Sequence, residues 1–125
     1  MEIILDVYTP MAYNVKTENN MQIIETTVFT RRVTNLLSDD EYRLLQHALV
    51  PRPDSGAIIP GSGGIRKIRW KVQGSGKRGG VRVIYYWAVA QDTILMLFIF
   101  AKNELSDLTP AQINTLRQIV EEEYP

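Results

Sequence analysis

The sequence predicts an α+β domain with elements in the order β-α-α-β-β-β-α. Three observations carry this. Two segments have apolar residues at helical spacing behind capping boxes, a late stretch alternates in strand fashion, and a run of eight apolar residues, Ile94 to Ala101, is too short to cross a membrane and suits a buried central strand. The chain has 125 residues and is 45% hydrophobic, enough for one domain with its own core.

Residues 1–21 are expected to form an N-terminal extension, with residues 22–125 as the compact domain. The first segment holds Pro10 and the polar tract Lys16 to Asn20 and has no sustained period. Within it, Ile3 to Val7 is apolar enough for an edge strand. Gln22 to Phe29 is rich in β-branched residues and alternates weakly, which predicts a strand. A short helix is expected over Thr30 to Leu37, with Val33, Leu36 and Leu37 on one side. A second follows over Ser38 to Leu49, where Ser38 and Glu41 form an S-x-x-E capping box and Tyr42, Leu45 and Leu49 make an apolar stripe. Pro51 and Pro53 stop it. A loop runs on to Gly64, and all eight glycines lie between Gly56 and Gly80.

Gly64 to Gln73 is predicted as a strand with Arg66, Ile68, Trp70 and Val72 on one face and Lys67, Arg69 and Lys71 on the other. After the loop Gly74 to Gly80 come strands over Val81 to Ala90 and Thr93 to Lys102, their short connections implying antiparallel pairing. Thr109 to Tyr124 is the last helix: Thr109 and Gln112 form a second capping box, Pro110 takes the favoured first position, and Ile113, Leu116, Val120 and Tyr124 are its buried stripe.

Charge separates the chain more sharply than composition does. The 14 basic and 14 acidic residues cancel, yet no acidic residue lies between Asp54 and Asp92, while Arg66, Lys67, Arg69, Lys71, Lys77, Arg78 and Arg82 do. Three alternating basics alone are most often a solvated sheet face. Seven basics without an acid favour a surface for a polyanion, and Lys67, Arg69 and Lys71 would repeat at ~6–7 Å along a strand, close to phosphate spacing on an extended single strand.

Several chemistries are excluded. There is no cysteine, hence no disulfide or thiolate metal site. His47 is the single histidine, so a histidine pair or a multi-histidine metal site is impossible, and its place on the second helix makes it a surface or packing residue. The loop GSGKRGG departs from the G-x-x-x-x-G-K-[ST] phosphate loop because Arg78 follows Lys77 and a strand, not a helix, follows. Among the aromatics beside the basic stretch, Tyr85 and Trp87 share the face of Val81 and Val83 and are assigned to the core. Tyr86 shares the face of Arg82 and Ile84, and either core packing or base stacking suits it. No targeting signal or membrane span is evident, and a soluble cytoplasmic protein without metal or cofactor is expected.

Three blocks in order carry a family resemblance: Gly63-Gly64-Ile65-Arg66-Lys67-Ile68-Arg69, then Gly76-Lys77-Arg78-Gly79-Gly80-Val81-Arg82-Val83-Ile84-Tyr85-Tyr86, then Phe100-Ala101-Lys102-Asn103-Glu104 followed by Asp107-Leu108-Thr109. Over about residues 22–125 the chain resembles the RelE/HigB toxins of bacterial type II toxin–antitoxin systems, nearest the HigB-type branch whose hairpin reads GKRGG. The resemblance implies the RelE-like fold: an antiparallel twisted sheet, two N-terminal helices packed on one face, and a C-terminal helix. It implies a ribosome-dependent messenger RNA endoribonuclease acting in the 30S A site, and a cognate antitoxin, commonly a HigA-like helix-turn-helix protein.

Matched residue by residue, the resemblance places the catalytic group at Lys67 and Arg69, Arg82, and Lys102, with Arg66, Lys71, Lys77, Arg78 and Asn103 as RNA-binding residues. Some relatives carry an arginine in the last catalytic position and add a C-terminal tyrosine or histidine; here the block reads Lys102-Asn103, and Tyr124 lies on a helix. The implied reaction is attack of a ribose 2′-OH on the adjacent phosphate, giving a 2′,3′-cyclic phosphate without metal. Lys67 is the first candidate for base, since arginine does not release its proton in proteins. Arg82 would stabilise the phosphorane, Arg69 clamp the phosphate, and Lys102 serve as donor or second clamp; these three roles can be permuted. A non-catalytic RNA- or ribosome-binding module, or a protein whose basic face docks an acidic partner, would use the same residues.

Overall fold

A computed structural model describes residues 11–16, 20–72 and 80–125. Its elements are β1 (Met11–Lys16), β2 (Gln22–Thr26), α1 (Thr27–Leu36), α2 (Asp39–Leu49), β3 (Ala57–Ile58), β4 (Arg66–Trp70), β5 (Val81–Ala88), a 3-10 turn (Val89–Gln91), β6 (Thr93–Ala101) and α3 (Pro110–Glu123). Among the described residues, one six-stranded sheet has the order β1-β2-β6-β5-β4-β3. The α+β class and helix order match expectation.

Three points differ. The sheet is mixed: β2 runs parallel to β6, from Gln22 opposite Thr93 to Glu25 opposite Met96. Short connections fix antiparallel pairing only between sequence neighbours, and these two strands are joined by most of the fold, long enough for a crossover. The strand expected over Gln22 to Phe29 is β2 and ends at Thr26, earlier than its β-branched composition predicts, because Thr26 caps α1. Its hydroxyl accepts from the Phe29 N–H at 3.2 Å and donates to the Leu97 carbonyl at 2.9 Å. A cap that also ties into the sheet outweighs the strand preference of the residues after it. Finally, β1 falls within the expected extension and pairs antiparallel with β2, and the two-residue β3 lies in the expected loop. Ile3 to Val7 lies outside the described residues.

Both later caps form as predicted. Ser38 and Glu41 exchange hydrogen bonds at 2.8 and 3.1 Å, and Thr109 and Gln112 do so at 2.8 and 3.2 Å. Every residue of β6 is buried, as expected of a central strand. On one sheet face, Phe29 and Val33 of α1 and Leu45 and Leu49 of α2 pack over Val83, Tyr85, Ile94 and Met96. On the other, Leu116, Ile119 and Val120 of α3 pack with Ile84, Leu95, Leu97 and Phe98. The register slips between Ile84, opposite Phe98, and Tyr85, opposite Met96, so Leu97 is an extra residue. Such a bulge sets two successive side chains, Leu97 and Phe98, against the same core. No helix among the described residues is long and apolar enough to cross a membrane.

Candidate active site

The pairing of β4 with β5 gathers the basic residues. Arg69 stands opposite Arg82, and Arg82 opposite Phe100; one step along, Lys67 stands opposite Ile84, and Ile84 opposite Phe98. Side chains at one rung share a face, and Ile84, Phe98 and Phe100 belong to the core under α3. Lys67, Arg69 and Arg82 therefore project to the α3 face. Like charges opposite each other on neighbouring strands are destabilising, so this rung has a cost that the fold carries.

The three cations differ in setting. Arg69 is exposed. Arg82 is 8% exposed, so its charge is screened by solvent less than that of Arg69. The Lys67 ammonium donates to both carboxylate oxygens of Asp107, at 3.2 and 3.3 Å. Asp107 lies just before the N-cap of α3, so the start of that helix meets the sheet at Lys67. At the other end, Tyr124 stacks on Tyr86 with ring centroids 5.9 Å apart. Tyr86 is thus a packing residue on this face, and Tyr124 is engaged with it.

Lys102 is exposed directly after β6, and its backbone N–H donates to the Gly80 carbonyl at 3.3 Å. This bond sets the Lys102-Asn103 turn beside the start of β5, two residues from Arg82. Asn103 is exposed, as is Lys71 immediately after β4. Arg66 is separated from the group. It alternates to the face of Ile68 and Trp70, where its guanidinium donates to the carbonyls of Gly56 at 2.8 Å and Asp54 at 3.1 Å and braces the loop after α2. Lys77 and Arg78 lie outside the described residues.

Tyr85 is fully buried in the opposite core, where its hydroxyl donates to the Pro53 carbonyl and accepts from the Gly56 N–H, both at 2.8 Å. Burial raises its pKa above 10.0, against the lowering effect of the Gly56 hydrogen bond. Trp87 is half-buried, and His47 is exposed in the last turn of α2.

Two residues near the basic face escaped sequence reasoning. Arg32 of α1 reaches across to the end of β6: its Nε donates to the Ile99 carbonyl at 2.7 Å, its Nη2 pairs with Glu104, and its guanidinium lies 4.8 Å from the Phe98 ring centroid. Nothing in local sequence distinguishes it from Arg31. Asp107 stands in the third block of the resemblance, but Asp92 and Glu104 lie nearer the basic stretch, and nothing local marks Asp107 as the partner of Lys67.

The model for the RelE toxin of the RelE/RelB toxin–antitoxin system matches residues 21–123. The chain belongs to the RelE toxin family. This RelE-family protein is the toxin of a toxin–antitoxin system and has an antitoxin as partner. The matched span takes in β2 through α3 and all of the cations described above.

Proposed function

We propose that this RelE-family toxin is an endoribonuclease that cuts messenger RNA in the ribosomal A site. The observation that carries the reading is the Arg69–Arg82 rung with Lys67 one step away on the same face. Two guanidiniums placed opposite each other cost stability and make a fork for one phosphate. The reaction is 2′-OH transesterification without metal. Arg82 stabilises the charge that builds on the phosphorane, Arg69 clamps the phosphate, and Lys102 adds a second clamp from the turn after β6. Lys71, Lys77, Arg78 and Asn103 extend the track along the RNA, while Arg66 supports the sheet from behind. With no histidine in the group, acid–base catalysis is modest, and alignment of the RNA by the ribosome supplies a large part of the rate. The antitoxin is proposed to be of the HigA-like helix-turn-helix type, and the site of action cytoplasmic.

The test is cleavage mapping by primer extension on ribosomes holding a defined messenger, with free messenger and the Arg82→Ala and Arg69→Ala variants as controls. Cutting confined to ribosomes and reduced about 100–1,000-fold in the variants is expected. Folded, antitoxin-free protein that binds but never cuts would instead establish a non-catalytic RNA-binding module.

A further inference from the structure

Four cations do not by themselves account for proton transfer. The 2′-OH needs an acceptor for its proton, and neither guanidinium can serve because arginine stays protonated. Lys67, the amine first assigned to that role, is in the structure a donor, with its ammonium on both oxygens of Asp107. The group beside it that accepts is the Asp107 carboxylate.

Asp107 combines access with fixed position. Its side chain is 61% exposed and that of Lys67 27% exposed, so the pair is open to a substrate. Its Oδ1 also accepts from the Leu108 N–H at 2.9 Å. Leu108 is buried in the core under α3, and Thr109 closes the capping box. The carboxylate is therefore anchored at the point where a stable helix begins. Glu104, the other carboxylate at this end of the sheet, is engaged by Arg32 and by the Ala101 N–H.

We propose that Asp107 is the general base of this reaction and Lys67 its paired general acid, an inference that rests on the ribonuclease reading above. The 2′-OH gives its proton to an Asp107 oxygen as the O2′–P bond forms. The P–O5′ bond breaks, and the leaving O5′ takes a proton from the Lys67 ammonium. Asp107 is then a carboxylic acid and Lys67 an amine, still within hydrogen-bonding distance. Transfer of the proton from carboxyl to amine restores both groups without a further reactant. Arg69 and Arg82 hold the phosphate one step along the strand, ~6–7 Å from Lys67 along the backbone and within the span of a lysine side chain.

A messenger with sulfur in place of the scissile O5′ separates the two roles, because a thiolate leaves without an acid. Single-turnover cleavage on ribosomes would be compared for wild type, Asp107→Asn, Asp107→Glu and Lys67→Met on the oxygen and sulfur messengers, with urea unfolding of each variant to show that it is folded. Asp107→Asn is expected to lose at least ~100-fold on both messengers, with partial recovery in Asp107→Glu. Lys67→Met is expected to lose a similar factor on oxygen and to approach wild type on sulfur. Undiminished or faster cleavage by Asp107→Asn would overturn the proposal and make the ion pair a mere restraint on Lys67. Rescue of Asp107→Asn by sulfur, or failure to rescue Lys67→Met, would overturn the assignment of roles. Wild type that leaves the oxygen messenger intact would remove the ribonuclease reading itself.

Discussion

Arg69 and Arg82 occupy the same rung of β4 and β5, one exposed and the other buried. Repulsion between them opposes folding, and an anion set between them would relieve it. Arg69→Thr, which places a good strand former opposite Arg82, is expected to raise unfolding stability by about 0.2–1 kcal/mol while reducing RNA cleavage. Urea denaturation at low and high salt checks it, and the gain should shrink as salt screens the repulsion.

Tyr42 and Thr30 both donate hydroxyl hydrogens to the buried Glu25 carboxylate, at 2.6 and 2.7 Å, tying α2 and α1 to β2. Tyr42→Phe removes one of these charge-assisted bonds and is expected to cost about 1.5–3 kcal/mol. The loss should be much smaller in a Glu25→Gln background, which a double-mutant cycle by chemical denaturation measures.

The Tyr85 hydroxyl is a neutral donor in the core, and burial raises its pKa above the ordinary 10.0. A raised folded value means that stability is fully present below the unfolded value near 10.0 and falls as pH rises toward the folded value, because the unfolded chain releases the proton first. Thermal unfolding from pH 8 to 11 is expected to show a loss in wild type that is smaller in Tyr85→Phe. At neutral pH the same substitution should cost ~1–3 kcal/mol, since it leaves the Gly56 N–H without its acceptor.

Gly80 immediately precedes β5 with φ +65°, and a Cβ there would lie 2.1 Å from the Trp70 carbonyl oxygen. Gly80→Ala is expected to destabilise by more than the ~1–2 kcal/mol of a left-handed alanine, because backbone must also move. Its carbonyl accepts from Lys102, so cleavage should fall beyond what the stability loss explains. Activity measured at a temperature where the variant remains folded separates the two effects.

Much of this architecture was legible because local chemistry and global packing agree. Ser38 with Glu41 and Thr109 with Gln112 announced two helices, and the apolar run of β6 announced the central strand. Alternation along Arg66 to Trp70 sorted Lys67 and Arg69 from Ile68 and Trp70 before any pairing was known. What was not legible depended on contacts between distant segments. Thr26 stops a strand early because Leu97 offers it a carbonyl, Arg66 is drawn off by the backbone of Gly56, and Asp107 reaches Lys67 only through the packing of α3. The parallel contact of β2 with β6 has no local signal at all.

That contact has a consequence for how the toxin comes into being. Synthesis delivers β2 among the first elements and β6 among the last, yet β6 is the strand on which both β2 and β5 pair. The sheet therefore waits on its centre, and pairings of such long sequence separation form slowly. Until β6 has been made, Arg82 has no Phe100 rung beside it. The emerging chain thus carries its basic strands without the frame that aligns them, and the basic face is assembled only once the chain has been made through β6.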